Sequence, residues 1–204
     1  MPPHSISRYI PVVLALTAVL SGCSSRSPTS TAVTAVHTCQ SPSPSPHSGD
    51  SDAPVLGRPA PDQVAALGHP LILKGSGPGE QATVTFLQVI DPACGVGGNS
   101  LLFHGMKYVG LRLRLVDSGR TPYSDGPSIC TWGRTDTGTQ VGSFVFPTLS
   151  EGSAIAPHGI LKLKPGQSAT GYVVMEIPQH AHLTRIYFTL DAGFADETGE
   201  WKFN

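Results

Sequence analysis

The chain has 204 residues, with 13 Lys and Arg, 14 Asp and Glu, 23 Gly and 19 Pro. A formal net charge of −1 excludes the broad basic face that binding to a nucleic-acid backbone requires, so no nucleic-acid partner is expected. Gly and Pro at this density exclude a helical bundle, and an apolar fraction of 39% excludes disorder along the whole chain.

The first 22 residues have the pattern of a signal peptide. The apolar run Ile10–Leu20 is shorter than the roughly 20 residues that a membrane-spanning helix needs. Leu20-Ser21-Gly22-Cys23 resembles a bacterial lipobox, and the resemblance implies that Cys23 becomes the first mature residue and carries fatty-acyl chains such as palmitate. The predicted location is the bacterial cell membrane, lipid-anchored, with the domain facing outside the cytoplasm. An ordinary secretory signal or a short anchor is the alternative.

Residues 23–54 are rich in Ser, Thr and Pro, most of all in the stretch Ser41-Pro42-Ser43-Pro44-Ser45-Pro46. A segment of this composition buries too little apolar surface to offset its ordering entropy, so we predict a disordered tether that holds the folded part away from the bilayer. Residues 55–204, about 150 in all, are enough for one domain with its own core.

The domain has the period-two pattern of β-strands. In Tyr108–Val116 apolar residues alternate with Gly110, Arg112 and Arg114, and Tyr172–Ile177 is apolar on nearly both sides, which favours a central strand. Further predicted strands are Leu71–Lys74, Gln81–Asp91, Ile129–Arg134, Val141–Phe146, Thr184–Leu190 and Glu200–Phe203.

Only Pro61–Leu67 suggests a helix, of one or two turns. With turn residues between the strands and no alternation of strands and helices, the predicted fold is all-β, an antiparallel immunoglobulin-like β-sandwich of seven to nine strands.

The stretch from Gln81 to Phe203 resembles a family of uncharacterised bacterial surface proteins, the domain of unknown function 4352. The resemblance is carried by Leu111–Thr121 with Pro122 after it, by Asp136-Thr137-Gly138-Thr139-Gln140, and above all by Leu163–Ser168 followed by Gly171–Pro178. It implies a lipoprotein or secreted protein with an immunoglobulin-like sandwich, related to a mycobacterial secreted antigen. The family has no agreed catalytic residues, and none are carried over.

The cysteines divide into an anchor and three others. Export places Cys94 and Cys130 in an oxidising compartment, and we predict a Cys94–Cys130 disulfide within the domain, with Cys39 in the tether as the unpaired thiol.

Two histidines, His180 and His182, lie on one side of an extended chain and are weak candidates for a metal site, with His158 or His104 as a third ligand. A polar loop without metal is the simpler interpretation, and no cofactor is expected.

Four aromatic residues have two interpretations. Tyr123, Trp132, Tyr172 and Tyr187 are candidates for a carbohydrate- or peptide-binding surface. Core packing is the favoured interpretation for Trp132, two residues from Cys130.

No catalytic motif was found, and the chain is predicted not to be an enzyme. The first hypothesis is a lipid-anchored cell-surface protein whose sandwich is a non-catalytic binding or interaction module. Its partners would be the membrane, through the lipid on Cys23, and an envelope protein or glycan. The alternative is an envelope metal-handling protein or hydrolase with a loop-borne site, and a structural spacer is a third hypothesis.

Overall fold

The structure is a computed structural model that describes residues 60–96, 104–143 and 148–203. The chain divides into two compact units, Met1–His37 and Thr38–Asn204, and every described residue belongs to the second. The signal peptide, Cys23 and the predicted tether lie outside the described residues.

Eleven strands and two single-turn helices are described. They are β1 (Gln63–Ala66), β2 (Leu71–Lys74), β3 (Gln81–Ala93), β4 (Met106–Asp117), β5 (Tyr123–Asp125), α1 (Pro127–Cys130), β6 (Thr131–Thr135), β7 (Gln140–Gly142), β8 (Leu161–Leu163), β9 (Ser168–Pro178), β10 (Leu183–Thr189), α2 (Leu190–Gly193) and β11 (Thr198–Lys202).

The strands form two packed sheets and a small third one. The first sheet, sheet A, has the order β1-β11-β10-β6-β7, the second, sheet B, has the order β2-β3-β4-β9, and β5 pairs with β8. All pairs are antiparallel except β1 with β11, which is parallel. The prediction of an all-β antiparallel sandwich is confirmed. The strands outnumber the predicted seven to nine because five of them have only three or four residues.

Alternation along the long strands builds the core between the sheets. In β4 the leucines at 111, 113 and 115 are fully buried, whereas Arg112 and Arg114 are exposed. Across the core, Phe86 of β3 makes an edge-to-face contact with Trp201 of β11, with ring centroids 5.0 Å apart. The indole N–H of Trp201 donates a hydrogen bond to the carbonyl of His69 at 2.8 Å, so this large side chain is buried without an unpaired donor.

The prediction that Tyr172–Ile177 is a central strand is wrong, because β9 is the last strand of sheet B. Its inner face packs in the core, and its outer face, with Tyr172 and Val174, joins a second cluster around Leu149. The segment around Ala154 also follows the edge: the Ile155 N–H donates to the carbonyl of Tyr172 at 2.9 Å. An edge strand covered in this way has the apolar pattern of a central one.

The short helix predicted over Pro61–Leu67 is also wrong, since Gln63–Ala66 forms strand β1. Its parallel pairing with β11 satisfies the backbone, and this tertiary pairing outweighs a weak local propensity. Ile129–Arg134, predicted as a strand, begins inside the helical turn α1 and becomes strand β6 at Thr131.

The sandwich has two ends. The end with β5, α1 and α2 is called here the tip end, and Asp62, just before β1, lies there because it is hydrogen-bonded to Thr198. The opposite end, where β3 reaches Ala93, is called the far end. Within the described ranges, no helix has the length and apolar character needed to cross a membrane.

Candidate functional site

The most unusual backbone in the described ranges lies at the tip end, in α2. Asp191 (φ 56°, ψ 52°) and Ala192 (φ 54°, ψ 27°) are in the left-handed region, and Gly193 follows with φ 90°. Left-handed geometry costs a residue with a Cβ roughly 1–2 kcal/mol, so two such residues in succession require compensation from their surroundings.

Two hydrogen-bonded carboxylates hold this turn. The Asp191 side chain accepts a hydrogen bond from the Ser76 N–H at 2.6 Å, which ties α2 to the loop between β2 and β3. The Asp125 side chain accepts from the Ala192 N–H, with N···O distances of 3.2 and 3.3 Å to its two oxygens. Hydrogen bonds to ionised groups are among the stronger ones in proteins, and they offset the strain of the turn.

Asp125 is also the partner of Cys130. The Cys130 thiol donates to Asp125 Oδ2 at 2.9 Å, and the Gly126 N–H donates to Asp125 Oδ1 at 2.7 Å. Cys130 is a fully buried free thiol, whereas Cys94 is disulfide-bonded, so the predicted Cys94–Cys130 disulfide is wrong. The physical reason is placement: Cys130 is in the core at the tip end, and Cys94 follows β3 at the far end.

Burial and negative charge determine the protonation of this cluster. Burial, with the Asp125 carboxylate beside it, raises the pKa of the Cys130 thiol far above its ordinary value. Burial also raises the pKa of Tyr123 well above its ordinary value, and Cys130, Asp125, Glu80 and Asp191 add to the shift. A thiol held protonated is a poor nucleophile, so this arrangement supports structure rather than covalent chemistry.

Exposed apolar side chains surround this braced turn. Phe194, directly after α2, is 84% exposed, and Ile129 of α1 is 41% exposed. The two short helices are in contact. A Cβ built on Gly126 would lie 3.1 Å from the carbonyl oxygen of Gly159, which places Ile160, itself 52% exposed, near the start of α1. Ile129, Ile160 and Phe194 are called here the apolar tip.

The predicted histidine site does not assemble. His182 Nδ1 lies 3.1 Å from Asp91 Oδ2 at the far end, and the Nζ of the buried Lys107 lies 2.6 Å from the other oxygen of Asp91. His180 is exposed in the adjacent turn, whereas His158 precedes Gly159 at the tip end. In the part of the chain that the structure describes, no three His, Cys, Asp or Glu side chains are placed to hold a metal ion.

The aromatic candidates separate into different environments. Tyr123 lies in the main core and Tyr172 in the second apolar cluster. Trp132 and Tyr187 stack on each other, with ring centroids 3.7 Å apart and planes 8° from parallel. Both are 5% exposed, yet neither belongs to the main core, so the interpretation of Trp132 as a core residue is right in burial and wrong in location.

Most residues of this site were not predicted from the sequence. Asp125 and Asp191 have the appearance of ordinary turn acids, and Phe194 that of one more apolar residue near a strand. Asp-Ala-Gly at 191–193 is the one available signal, since Asp and Gly tolerate left-handed geometry, but Ala192 contradicts it.

Two packed, mostly antiparallel sheets define this chain as a β-sandwich protein. MPT63, a secreted protein from Mycobacterium tuberculosis, is similar to it with a TM-score of 0.47 and 12% identity, over 75% of this chain and 100% of that one. An uncharacterised β-sandwich protein from Clostridium difficile 630 gives a TM-score of 0.42 and 10% identity, over 70% and 95%. No protein-family model and no curated protein matches the chain, and membership of the 4352 family stays a prediction.

Proposed function

We propose that this protein is a lipid-anchored cell-surface protein whose β-sandwich is a non-catalytic interaction module. The anchor is the acylated Cys23, the last residue of the lipobox Leu20–Cys23. The contact site is the apolar tip, and its partner is a protein of the envelope. The anchor and the contact site have separate supports and separate tests.

The observation that carries the contact site is the way Phe194 is presented. An aromatic side chain that is 84% exposed follows a turn whose two left-handed residues are braced by Asp125 and Asp191. Exposed apolar residues that occur singly are common, but Phe194 follows α2, which contacts the α1 helix of Ile129, and Ile160 lies near the start of α1. The Phe194 N–H donates to the Asp191 carbonyl at 3.0 Å, so the braced turn holds the backbone of Phe194 and reduces the backbone freedom that is lost on binding.

The chemistry of the site favours binding over catalysis. Cys130 is the buried thiol of the cluster, and burial beside Asp125 raises its pKa, away from nucleophilic reactivity. The metal-handling alternative has no observation in its favour among the described residues, because His158 and His182 lie at opposite ends of the sandwich.

The contact site is tested by comparing two exposed apolar residues in one binding assay. The mature chain, immobilised, is incubated with envelope extract, and retained proteins are quantified by mass spectrometry for the wild type, Phe194→Ala and Ile72→Ala. Ile72 is 50% exposed on β2 and is not part of the apolar tip. We expect the retained amount of a partner protein to fall at least tenfold with Phe194→Ala and to be unchanged with Ile72→Ala. A tenfold fall corresponds to the loss of a dominant contact of about 1.4–3 kcal/mol. Retention that is the same in all three chains contradicts the site.

The anchor is tested by the mass of the N-terminal peptide of protein extracted from membranes. We expect a peptide that begins at Cys23 and carries acyl chains, and we expect Cys23→Ala to abolish both the modification and membrane fractionation. A Cys23→Ala chain that still fractionates with membranes and keeps a lipid-bearing mass contradicts the anchor.

A further inference from the structure

Two arginines lie side by side on the outer face of sheet B. Arg112 and Arg114 are successive outward residues of β4, and both side chains are exposed. Two residues of a strand span about 7 Å, so the two side chains leave the sheet as neighbours. In the described part of the chain, neither guanidinium group has an ion pair or a side-chain hydrogen bond. Like charges on one face of a sheet repel each other, so the two charges do not stabilise the fold.

The side chains around the two arginines add hydrogen-bonding groups and no charge. Arg114 lies between Thr85 of β3 and Thr170 of β9, and Arg112 lies opposite Gln88 of β3. This surface is called here the arginine face, and it consists of Thr83, Thr85, Gln88, Arg112, Arg114 and Thr170.

The arginine face is the open half of the outer face of sheet B. In the other half, a Cβ on Gly110 would lie 2.6 Å from Leu149 Cδ1, so Leu149 covers the row next to Arg112. Tyr172, which pairs with Arg112, is 7% exposed and belongs to the cluster around Leu149. The cover therefore ends at Arg112, and the exposed side chains beyond it are accessible to a ligand.

The acidic side chains nearest to the arginine face have other partners or lie in the covered half. Glu151 accepts a hydrogen bond from the Ser150 hydroxyl at 2.9 Å. Asp117, at the end of β4, accepts from the Tyr123 N–H at 3.0 Å, and Glu176 lies in the covered half of the sheet. The arginine face is therefore a local positive surface on a chain whose formal net charge is −1. Guanidinium groups bind carboxylate and phosphate through paired hydrogen bonds, so this surface attracts such oxyanions.

The composition of the arginine face favours a glycan over a protein as the carrier of the oxyanions. The middle of a protein interface is apolar and depleted of charge. The middle of this face consists instead of two arginines flanked by two threonines and a glutamine. Hydroxyl and amide groups donate and accept hydrogen bonds, as the hydroxyl groups of a sugar also do.

We propose that the arginine face binds an acidic glycan. Arg112 and Arg114 bind its carboxylate or phosphate groups, and the threonines and Gln88 bind its sugar hydroxyl groups. This site is separate from the apolar tip, and it depends neither on the tip nor on the lipid anchor.

The ligand class is tested by measuring the binding of the mature chain to four immobilised polymers of similar length. They are polygalacturonate, phosphorylated dextran, neutral dextran and polyglutamate. We expect binding to polygalacturonate, to phosphorylated dextran or to both, and the preferred polymer identifies the oxyanion. Binding should weaken as NaCl is added, because salt screens exposed charges. Binding to neutral dextran or polyglutamate as tight as to the acidic glycans, or no binding to either acidic glycan, overturns the proposal.

The site is tested by substitutions of its two arginines. Arg112→Gln and Arg114→Gln should each weaken binding to the acidic glycan at least about tenfold, as the loss of a charged hydrogen-bond donor implies. The matched control is Lys162→Gln, which removes an exposed charge from β8 in the small third sheet, and we expect unchanged binding. An equal loss with Lys162→Gln, or unchanged binding after substitution of both arginines, overturns the site.

A structural role for the arginines is tested by urea unfolding of the same variants. Because the two charges repel each other, we expect the unfolding midpoints of Arg112→Gln and Arg114→Gln to be unchanged or higher. A lower midpoint means that the arginines hold the sheet together, and it overturns the argument for a binding site. Phe194→Ala should leave glycan binding unchanged, so failure of this site and failure of the apolar tip are distinguishable.

Discussion

Replacing Asp125 by alanine removes the acceptor that joins β5, α1 and α2. Its side chain accepts hydrogen bonds from the Gly126 N–H at 2.7 Å, the Cys130 thiol at 2.9 Å and the Ala192 N–H at 3.2 Å. Asp125 is buried, so water does not readily replace the lost carboxylate. The left-handed turn at Ala192 then keeps its strain without its main compensation.

The expected loss of stability follows from these contacts. A hydrogen bond to a charged acceptor contributes about 1.5–3 kcal/mol, and a thiol donor contributes less. Counting the two backbone donors fully and the thiol slightly, Asp125→Ala should lower the free energy of unfolding by about 3–6 kcal/mol. Asp125→Asn keeps one acceptor oxygen and should cost about half as much.

The assay is urea unfolding of the mature chain, followed by the fluorescence of its two buried tryptophans, Trp132 and Trp201. Ser124→Ala is the matched control, because Ser124 is the exposed residue between two buried ones in the same strand, and we expect a change within about 0.5 kcal/mol. A loss below about 1 kcal/mol for Asp125→Ala, or an equal loss for Ser124→Ala, refutes the role of Asp125 as the brace of the tip.

Three further outcomes test other parts of the structure. Ala192→Gly should raise the free energy of unfolding by about 0.5–1 kcal/mol in the same urea assay, because glycine relieves left-handed strain, and a loss contradicts that strain. Burial raises the pKa values of Cys130 and Tyr123 above ordinary values of 9.0 and 10.0, so the unfolded state loses these protons first. Stability should therefore be independent of these groups well below about pH 9, and should fall by up to about 1.4 kcal/mol per pH unit above about pH 9 for Cys130 and above about pH 10 for Tyr123. Urea titrations with no decline between about pH 9 and 11 contradict this. Lys107→Met should cost about 3 kcal/mol in urea unfolding, since it leaves the carboxylate of Asp91 without its 2.6 Å partner, and a change below about 1 kcal/mol means that the pair is not structural.

The sandwich was predictable because apolar and polar residues alternate along its long strands. The alternation in β4 follows from one buried and one solvated face, and Leu71–Lys74 forms β2 with the predicted bounds. Strand β1 was not predictable in the same way, because its partner β11 lies more than 130 residues later and local composition contains no trace of that pairing.

Most of the candidate site could not be predicted from the sequence, for a related reason. Asp125 and Ala192 are 67 residues apart and meet only when β5 and α2 converge, although Cys130 is five residues from Asp125. The sequence-based prediction assigned Cys130 to a disulfide that it does not form. Burial and position in the fold decide pairing, and neither can be read from spacing.

Site-specific photo-crosslinking in living cells tests the proposed contact site most directly. A photoreactive phenylalanine analogue is placed at Phe194, at Ile129, and at Ile72 as an equally apolar position on β2. We expect the same discrete protein adduct from positions 194 and 129 and none from position 72. No adduct at 194, or the same adducts from all three positions, contradicts a binding module that acts through the apolar tip.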